Sequence, residues 1–392
     1  MRNPTGAMLL GSERLLASPR LNGLRVGILA NLASIDHSFT HIVDQLSRST
    51  TCKLAAIFGP QHGYQSNLQD NMIETPHAKD KRRDIPIFSL YSETREPTRD
   101  MLSLIDVLVI DLQDVGARIY TFIYTMGNCL RAAAAAGVPV IVCDRPNPIG
   151  GLAIEGMTLE PGYKSFVGQF RMPMRHGMTV AELARLFNEH HGIGAELEVV
   201  TMQDWSRKMY FDATELPWVM PSPNMPTLDT AIVYPGTVLL EGTILSEGRG
   251  TTRPFELVGA PWLDGEALAA RLNGISVRGA HFRAVNFEPT FQKHAQIACG
   301  GCQIHVTDRE AFEPVKAGVA VIRECYGSAP DAFAWRDPPY EYEHDKMPID
   351  ILAGSPALRQ QIEQQMSLDE IAASWDLGVA EFAAVRQQYL LY

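Results

Sequence analysis

Four short apolar runs in the first half of the chain are followed directly by polar residues. They lie at positions 24–30, 53–58, 105–111 and 138–143. Runs that are apolar at consecutive positions are typical of strands buried on both faces of a parallel sheet. Helical stretches separate them, and one such stretch closes at Gly137, a residue type that commonly ends helices. This alternation predicts an α/β fold with a Rossmann-like, doubly wound parallel sheet.

The length of the chain and a change in its residue composition and periodicity predict a second domain. A chain of 392 residues is too long for one ordinary core. From about position 205 Pro and Gly become frequent and periodicity is weak, and an irregular stretch of this length is usually functional. The tail then returns to a mixed pattern. We therefore expect a Rossmann-like domain over 20–205 and a smaller mixed α/β domain over 206–392.

Composition excludes several classes of partner. The net charge of −11 repels phosphate backbones, so nucleic acid is a poor partner, whereas a sugar-like ligand is compatible. No G-x-G-x-x-G motif follows the first apolar run, so we predict no dinucleotide.

No segment reaches the roughly 18 apolar residues of a membrane span. The first 23 residues lack the apolar stretch of a signal peptide. We therefore expect a cytoplasmic protein, or a periplasmic one if a leader has been removed.

Six cysteines in a chain of this length do not make a dense disulfide framework. Cys299 and Cys302 form a single C-x-x-C motif. A zinc site would need a second pair of ligands, and none follows at a useful spacing. We therefore predict no metal site.

Polar side chains occupy the carboxyl ends of all four predicted strands. In open parallel sheets, ligands bind outside these ends. Together the amide, carboxylate and guanidinium groups would line a polar cleft. Each single residue has an alternative role, because Asp and Asn commonly cap helices and turns. The residues concerned are Asn31, Gln61, His62, Asp111, Gln113, Asp114, Asp144, Arg145 and Asn147.

Three further features add candidates. Asp114 and Arg118 are four residues apart and would pair on a helix, which can be a purely structural ion pair. His176 precedes a predicted helix start, whose free N–H groups favour an anionic ligand, so His176 either contacts ligand or packs. Glu247 and Arg249 lie among small residues that let the backbone approach a ligand closely. We expect this Gly-rich segment to form the second wall of the cleft.

An ordered set of motifs resembles one family closely, the DUF1343 family, which includes exo-β-N-acetylmuramidases. The resemblance extends from about residue 22 to the terminal Leu-Leu-Tyr. The matching motifs are GPQHG (59–63), DLQDVGARIYTFIYTM (111–126), DRPNPIGG (144–151), SFVG (165–168), RHGMT (175–179), PSPNMPT (221–227), YPG (234–236), LLEGT (239–243) and SEGRGTTRPFE (246–256).

The resemblance implies a glycoside hydrolase that removes terminal N-acetylmuramic acid from the non-reducing end of peptidoglycan fragments. It implies a Rossmann-like domain followed by a smaller one, an active site in the cleft between them, and no metal or organic cofactor. The lactyl carboxylate of the sugar would suit Arg145, Arg249 and the helix start at Thr179. The substrate-binding residues expected from these motifs are Asn31, His62, Asp111, Gln113, Asp114, Arg118, Tyr120, Asp144, Arg145, Asn147, His176, Ser222, Asn224, Tyr234, Glu241, Arg249 and Thr251.

One catalytic position departs from the family pattern. The first motif of the family commonly reads GPEHG, with its glutamate as the favoured catalytic acid, and this chain has Gln61 there. An amide cannot serve as an acid or, at neutral pH, as a base. Glu74 and Glu247 are the nearest substitutes. The reserve carboxylates are Asp111, Asp114 and Glu241.

Two alternatives to muramidase activity remain open at this stage. If no carboxylate replaces the missing acid at Gln61, the chain is a non-catalytic binder of muropeptides or amino sugars. If the cleft selects another ligand, the chain is a hydrolase of a different acidic sugar.

Overall fold

The computed structural model describes residues 8–65, 73–275 and 277–392. Strands and helices alternate along its first half, and helices dominate its last third. The strands are β1 (Arg25–Ala30), β2 (Lys53–Gly59), β3 (Ala78–Asp80), β4 (Ile85–Ser89), β5 (Val107–Asp111), β6 (Val140–Cys143), β7 (Glu155–Thr158), β8 (Pro173–Arg175), β9 (Leu197–Val200), β10 (Leu257–Ala260), β11 (Ala280–Phe287) and β12 (Cys299–Val306).

The helices are mostly short. The α-helices are α1 (Gly11–Leu16), α2 (Ile42–Arg48), α3 (Arg99–Leu102), α4 (Phe122–Ala136), α5 (Val180–Arg185), α6 (Leu228–Thr237), α7 (Gly265–Gly274), α8 (Pro314–Ser328), α9 (Pro348–Ala353), α10 (Ala357–Glu363), α11 (Leu368–Ala373) and α12 (Asp376–Arg386). A π-helical turn, Leu186–His190, continues α5, and 3₁₀ turns lie at Pro19–Leu21, Phe211–Thr214 and Val238–Gly242.

A seven-stranded sheet forms the centre of the first half, in the order β3-β4-β2-β1-β5-β6-β9. Every neighbouring pair is parallel except β3 and β4 at one edge. The four predicted apolar runs are β1, β2, β5 and β6, and β5 and β6 are buried at every position. The prediction of a Rossmann-like parallel sheet is confirmed. Because these four strands are neighbours, their carboxyl ends meet at one edge.

The second half is built on a three-stranded antiparallel sheet, in the order β10-β12-β11, with helices against it. Helix α6 falls in the stretch for which we expected little periodicity, and it includes Pro235 near its end. Its start is fixed by Thr227, whose hydroxyl accepts a hydrogen bond from the Thr230 N–H. A buried hydrophobic cluster runs through both halves, from Ile110 on β5 to Ile322 on α8.

The cysteine pair lies on β12, where three residues of separation turn the two side chains to opposite faces. Both Cys299 and Cys302 are free thiols. Across the described ranges, the His, Cys, Asp and Glu side chains form no group of three or more suited to a metal ion. None of the helices in those ranges has the length and apolar character needed to cross a bilayer.

Candidate active site

A pocket lies beyond the carboxyl ends of β2 and β5, where the first half of the chain faces the second. It encloses about 510 Å³, counting the part open to solvent, within the roughly 300–1,000 Å³ usual for small-molecule sites. Both halves of the chain supply polar side chains to it. Its lining residues are Gln61, His62, Ile119, Tyr120, Thr121, Phe122, Val167, Ser222, Asn224, Met225, Tyr234, Glu241, Arg249, Phe255, Tyr340 and Glu341.

Gln61 reaches the pocket from a tight turn after β2. The Gly63 N–H bonds the carbonyl oxygen of Pro60 at 3.0 Å, and His62 has a positive φ of 69°. The Gln61 side chain is buried, and its Oε1 accepts a 2.6 Å hydrogen bond from the hydroxyl of Thr121. Its amide nitrogen is the hydrogen-bond donor and is held towards Glu341.

Arg249 carries the positive charge of the opposite wall. Its Nη2 donates a 2.6 Å hydrogen bond to Oε1 of Glu241, and its guanidinium lies 5.0 Å from the centre of the Phe255 ring. The other oxygen of Glu241 accepts a 2.7 Å hydrogen bond from the hydroxyl of Tyr340. Burial would lower the pKa of Arg249, but Glu241 and Glu247 outweigh it and hold the pKa above its usual value. Glu241 is thus fixed between a cation and a hydroxyl donor.

Glu247 lies behind this wall and does not line the pocket. Its carboxylate faces Nε of Arg249 at 3.2 Å and accepts a 2.9 Å hydrogen bond from Nζ of Lys293. Burial opposes its ionisation, but Lys293 and Arg249 hold the pKa of Glu247 below its usual value. A carboxylate held ionised by two cations is a poor proton donor at neutral pH.

Glu341 completes the rim of the pocket. Its side chain is buried, and Oε2 accepts a 3.2 Å hydrogen bond from the hydroxyl of Tyr91. Burial raises the pKa of Glu341 to about 7, and Glu241 adds to the rise, whereas the hydrogen bonds from Tyr91 and Gln61 oppose it. Near neutral pH this carboxyl group therefore exchanges a proton readily.

Eight of the predicted site residues line the pocket. Three come from the segments that follow β2 and β5, and five from residues 222–249 in the second half of the chain. These residues are Gln61, His62, Tyr120, Ser222, Asn224, Tyr234, Glu241 and Arg249.

The structure does not bring the other twelve to the pocket lining. Most lie close behind the strand ends and form the internal hydrogen bonds described below. They are Asn31, Glu74, Asp111, Gln113, Asp114, Arg118, Asp144, Arg145, Asn147, His176, Glu247 and Thr251.

Asp111 and Arg145 form a buried ion pair beneath the sheet edge. Arg145 donates from Nε and Nη2 to the two oxygens of Asp111, at 2.6 and 2.9 Å. Next to them, the Asn31 amide donates to the carbonyl oxygen of Gln113 at 3.1 Å, and the Gln113 amide donates to that of Pro146 at 2.9 Å. These groups link neighbouring strand ends. Arg145 does not line the pocket, and its binding of the lactyl carboxylate stays a prediction.

Asp114 does not pair with Arg118 as a helical spacing would require. Its carboxylate accepts a 2.7 Å hydrogen bond from the Gly116 N–H and faces Nε2 of His176 at 3.3 Å. Arg118 instead donates to the carbonyl oxygens of Leu352 and Ala353, at 2.8 and 2.9 Å. The residues between them form an irregular segment rather than a helix. Arg118 therefore ties the first half of the chain to α9.

Asp144 and Asn147 cap backbone groups near α5. Asp144 accepts hydrogen bonds from the Thr179 hydroxyl and the Ala181 N–H, at 2.8 and 2.9 Å. Asn147 donates to the carbonyl oxygen of Met178 at 3.0 Å. For both residues the capping alternative describes the structure.

Glu74 and Thr251 are the two remaining candidates that do not line the pocket. Glu74 is half-exposed and pairs with Arg95 at 2.9 Å. Thr251 donates a hydrogen bond to the carbonyl oxygen of Gly248 within the Gly-rich segment.

Besides Thr121, which lies within one of the matched motifs, Tyr340 and Glu341 are the polar lining residues that sequence reasoning missed. Tyr340 and Glu341 lie in the segment Pro-Pro-Tyr-Glu-Tyr-Glu at positions 338–343. Charged and aromatic residues after two prolines, in a segment without periodicity, could have drawn attention to it. Their distance along the chain from every other motif gave no indication that they reach the pocket.

Comparison with known proteins places this geometry in a family. Two family models match in succession, the N-terminal domain of the exo-β-N-acetylmuramidase NamZ over residues 26–229 and its C-terminal domain over 232–392. A curated relative, the peptidoglycan β-N-acetylmuramidase NamZ of Bacillus subtilis (strain 168), is 45% identical over 373 residues, which are 95% of this chain and 88% of that protein.

Two crystal structures share the fold. Both are DUF1343 family proteins from Bacteroides fragilis NCTC 9343. One has a TM-score of 0.89 and 34% identity, and the other a TM-score of 0.76 and 28% identity. Each alignment covers 98% of this chain and 99% of the other. Since the family models and these relatives match nearly the whole length, the chain belongs to the NamZ family of exo-β-N-acetylmuramidases, formerly known as DUF1343.

Proposed function

We propose that this protein is an exo-acting glycoside hydrolase that releases terminal N-acetylmuramic acid from the non-reducing end of peptidoglycan fragments. The observation that carries the proposal is the 45% identity, over 95% of the chain, to the peptidoglycan β-N-acetylmuramidase of Bacillus subtilis. The pocket supports it, because it offers the chemical groups that such a reaction needs.

Glycoside hydrolysis proceeds through a transition state with positive charge on the sugar, and enzymes usually serve it with carboxyl groups in different environments. The pocket provides such groups. Glu241 is bonded to the guanidinium of Arg249, whereas Glu341 receives hydrogen bonds from the neutral groups of Gln61 and Tyr91. One group is thus suited to charge stabilisation and the other to proton exchange.

Arg249 is our candidate for binding the lactyl carboxylate of N-acetylmuramic acid. It lines the pocket, with Nη2 bonded to Glu241 at 2.6 Å and Nε facing Glu247 at 3.2 Å. A guanidinium has five N–H donors in a planar fork, which suits a carboxylate. Ser222 and Asn224 lie on the same lining and can serve the hydroxyl and N-acetyl groups.

The test uses two disaccharides with the sugars in opposite order. We expect the protein to release N-acetylmuramic acid from one that carries this sugar at the non-reducing end. The disaccharide with N-acetylglucosamine at that end should stay intact. Mass spectrometry of the products distinguishes the two cases.

Two results would overturn the proposal. Binding of the first disaccharide in calorimetry without any release would identify a carbohydrate-binding protein. Release of a different acidic sugar alone, in a panel of aryl glycosides, would identify another hydrolase.

A further inference from the structure

Glu341 lies at the tip of an unusual turn. Tyr340 and Glu343 exchange two backbone hydrogen bonds of 2.9 Å, so Glu341 and Tyr342 are the central residues of a two-residue turn. Their φ angles are 44° and 69°. Positive φ at both central positions normally selects Asn and Gly, and residues of other types are strained there. Strain of this kind is typical of functional sites.

The turn directs the two side chains to different environments. Tyr342 is exposed, whereas Glu341 is buried and lines the pocket. Among the described residues, the charged or titratable groups around Glu341 include Glu241, Arg249, Tyr91 and Tyr340, and His62 lines the same pocket. The carboxyl group thus faces the space that a ligand would occupy.

The partner that meets Glu341 inside the pocket is Gln61, the residue at the family's usual acid position. The Thr121 hydroxyl donates a hydrogen bond to Oε1 of Gln61. The amide nitrogen of Gln61 therefore presents its N–H groups to Glu341. An N–H donor stabilises an ionised carboxylate and fixes its orientation. Gln61 is therefore suited to position a neighbouring acid that changes its charge during a reaction.

We propose that Glu341 is the catalytic general acid of this protein and that Gln61 is its positioning residue. The assignment rests on the proposed function. The assignment places the acid at position 341 instead of at position 61, on the other side of the contact between these two side chains. Glu241 and Glu247 do not compete for the role, since both are bonded to cations.

The proton balance of the reaction follows from this position. Glu341 gives its proton to the glycosidic oxygen as the bond from that oxygen to the anomeric carbon breaks, and the electron pair of the bond stays on the oxygen. The leaving sugar departs as an alcohol. The oxygen of a water molecule ends on the anomeric carbon, and a proton of that water returns to the Glu341 carboxylate. One water is consumed and the enzyme is restored.

The test compares two leaving groups in Glu341→Gln. The disaccharide leaving group needs a proton, whereas a 2,4-dinitrophenolate leaves without one. We expect the variant to lose about 100-fold to 10,000-fold of kcat/KM on the disaccharide. It should keep kcat/KM for the 2,4-dinitrophenyl glycoside within about tenfold of wild type, because this constant reports the cleavage step and that leaving group needs no proton. Glu343→Gln, in the same turn and paired with Lys346 at 3.5 Å, is the matched control and should cleave both substrates like wild type.

The possible outcomes distinguish the role of Glu341 as the acid from the proposed hydrolase activity. Equal losses on both substrates, or no loss on the disaccharide, would overturn the role of Glu341 while an active wild type upholds the hydrolase. A wild type that cleaves neither substrate would overturn the proposed function and the assignment with it.

A second measurement uses the unchanged protein and so does not depend on the folding of a variant. The kcat/KM for the disaccharide should fall as the pH rises through about 7, the value to which burial raises the pKa of Glu341. The 2,4-dinitrophenyl glycoside should show no such fall. A common fall for both substrates, or none for the disaccharide up to pH 9, would overturn the assignment.

Discussion

The hydroxyl group of Tyr340 donates a 2.7 Å hydrogen bond to Oε2 of Glu241, so a residue next to the proposed acid also holds the other pocket carboxylate. A hydrogen bond to a charged group contributes about 1.5–3 kcal/mol. Because both residues are buried, water cannot readily replace the hydroxyl group. The bond therefore links the geometry of the two carboxyl groups.

We expect Tyr340→Phe to lower kcat on the disaccharide by about tenfold to a hundredfold, the equivalent of that free energy. The measurement is steady-state kinetics, with circular dichroism to establish that the variant is folded. Tyr326→Phe, remote from the pocket on α8, is the control. A Tyr340→Phe enzyme as active as this control would contradict a role for the hydroxyl in orienting Glu241.

Substrate selection tests the role of Arg249. Arg249→Lys keeps the charge near Glu241 but removes the planar fork that suits a carboxylate. We expect the ratio of kcat/KM for an aryl β-N-acetylmuramide to that for the matching N-acetylglucosaminide, which lacks the lactyl group, to fall by about tenfold or more. Taking the ratio cancels any general loss caused by movement of Glu241.

The control for this prediction lies in the same segment. Arg253→Lys alters a half-exposed side chain that pairs with Glu256 at 3.3 Å, and it should leave the ratio unchanged. An unchanged ratio in Arg249→Lys as well would mean that the lactyl carboxylate binds elsewhere.

The contact between Gln61 and Glu341 allows an exchange experiment. The double variant Gln61→Glu with Glu341→Gln returns the carboxyl group to the family's usual position and keeps one amide beside it. We expect it to cleave the disaccharide at least several-fold faster than Glu341→Gln alone, because residues in contact are energetically coupled. A double variant no faster than the product of the two single effects would show that the positions act independently.

The buried strands could be predicted because their sequences leave few alternatives. A run such as that of β5 is apolar at consecutive positions and can only be buried on both faces. Strand β3 at the edge of the sheet and its neighbour β4 are short and mostly exposed or only partly buried, so they lack this signal. Helix α6 was missed because Pro235 is typical of irregular structure, yet tertiary packing accommodates it near the helix end.

The pocket could be predicted only in part, for a related reason. Polar residues at strand ends were found readily, but buried polar groups must be hydrogen-bonded, and many of these bond one another. Asp111 and Arg145 are such a pair. Sequence alone does not separate them from Gln61, which has the same position relative to its strand. Glu341 was not predicted as a site residue, because the turn that brings it to the pocket lies far along the chain from the other lining residues.

Asp144 makes stability depend on pH. Burial raises the pKa of Asp144 to about 7, and Glu182 adds to the rise, against hydrogen bonds from Ala181, Tyr392 and Thr179. A carboxyl group whose pKa is higher in the folded state binds its proton more tightly there, so its ionisation destabilises the fold. The penalty is absent below the ordinary carboxyl pKa of 3.8 and grows as the pH rises to about 7.

We therefore expect Asp144→Asn, which cannot ionise, to gain stability relative to wild type as the pH rises from 5 to 8. At about 1.4 kcal/mol per pKa unit the gain is on the order of a few kcal/mol. Urea unfolding at each pH measures it, and Asp331→Asn, at an exposed site, should show no such trend. A constant difference between Asp144→Asn and wild type would mean that this carboxyl group does not titrate in that range.

The close contact between α6 and α8 holds one wall of the pocket in place, because α6 carries Tyr234 and leads into Glu241. A Cβ atom added at Gly318 would lie 2.2 Å from the carbonyl oxygen of Gly236, too close for any real contact. Gly318→Ala must therefore push the helices apart, and overpacking of this kind costs about 1–3 kcal/mol or more. We expect a lower midpoint in urea unfolding and a parallel loss of hydrolysis.

Gly327→Ala is the matched control for Gly318→Ala, since it lies on the same helix with nothing within 4 Å of its added Cβ. Because alanine loses less conformational entropy in a helix than glycine, Gly327→Ala should raise stability by up to about 1 kcal/mol. The two substitutions are chemically identical and are predicted to act in opposite directions. If both raised stability, the close contact between Gly318 and Gly236 would not be what holds α6 against α8.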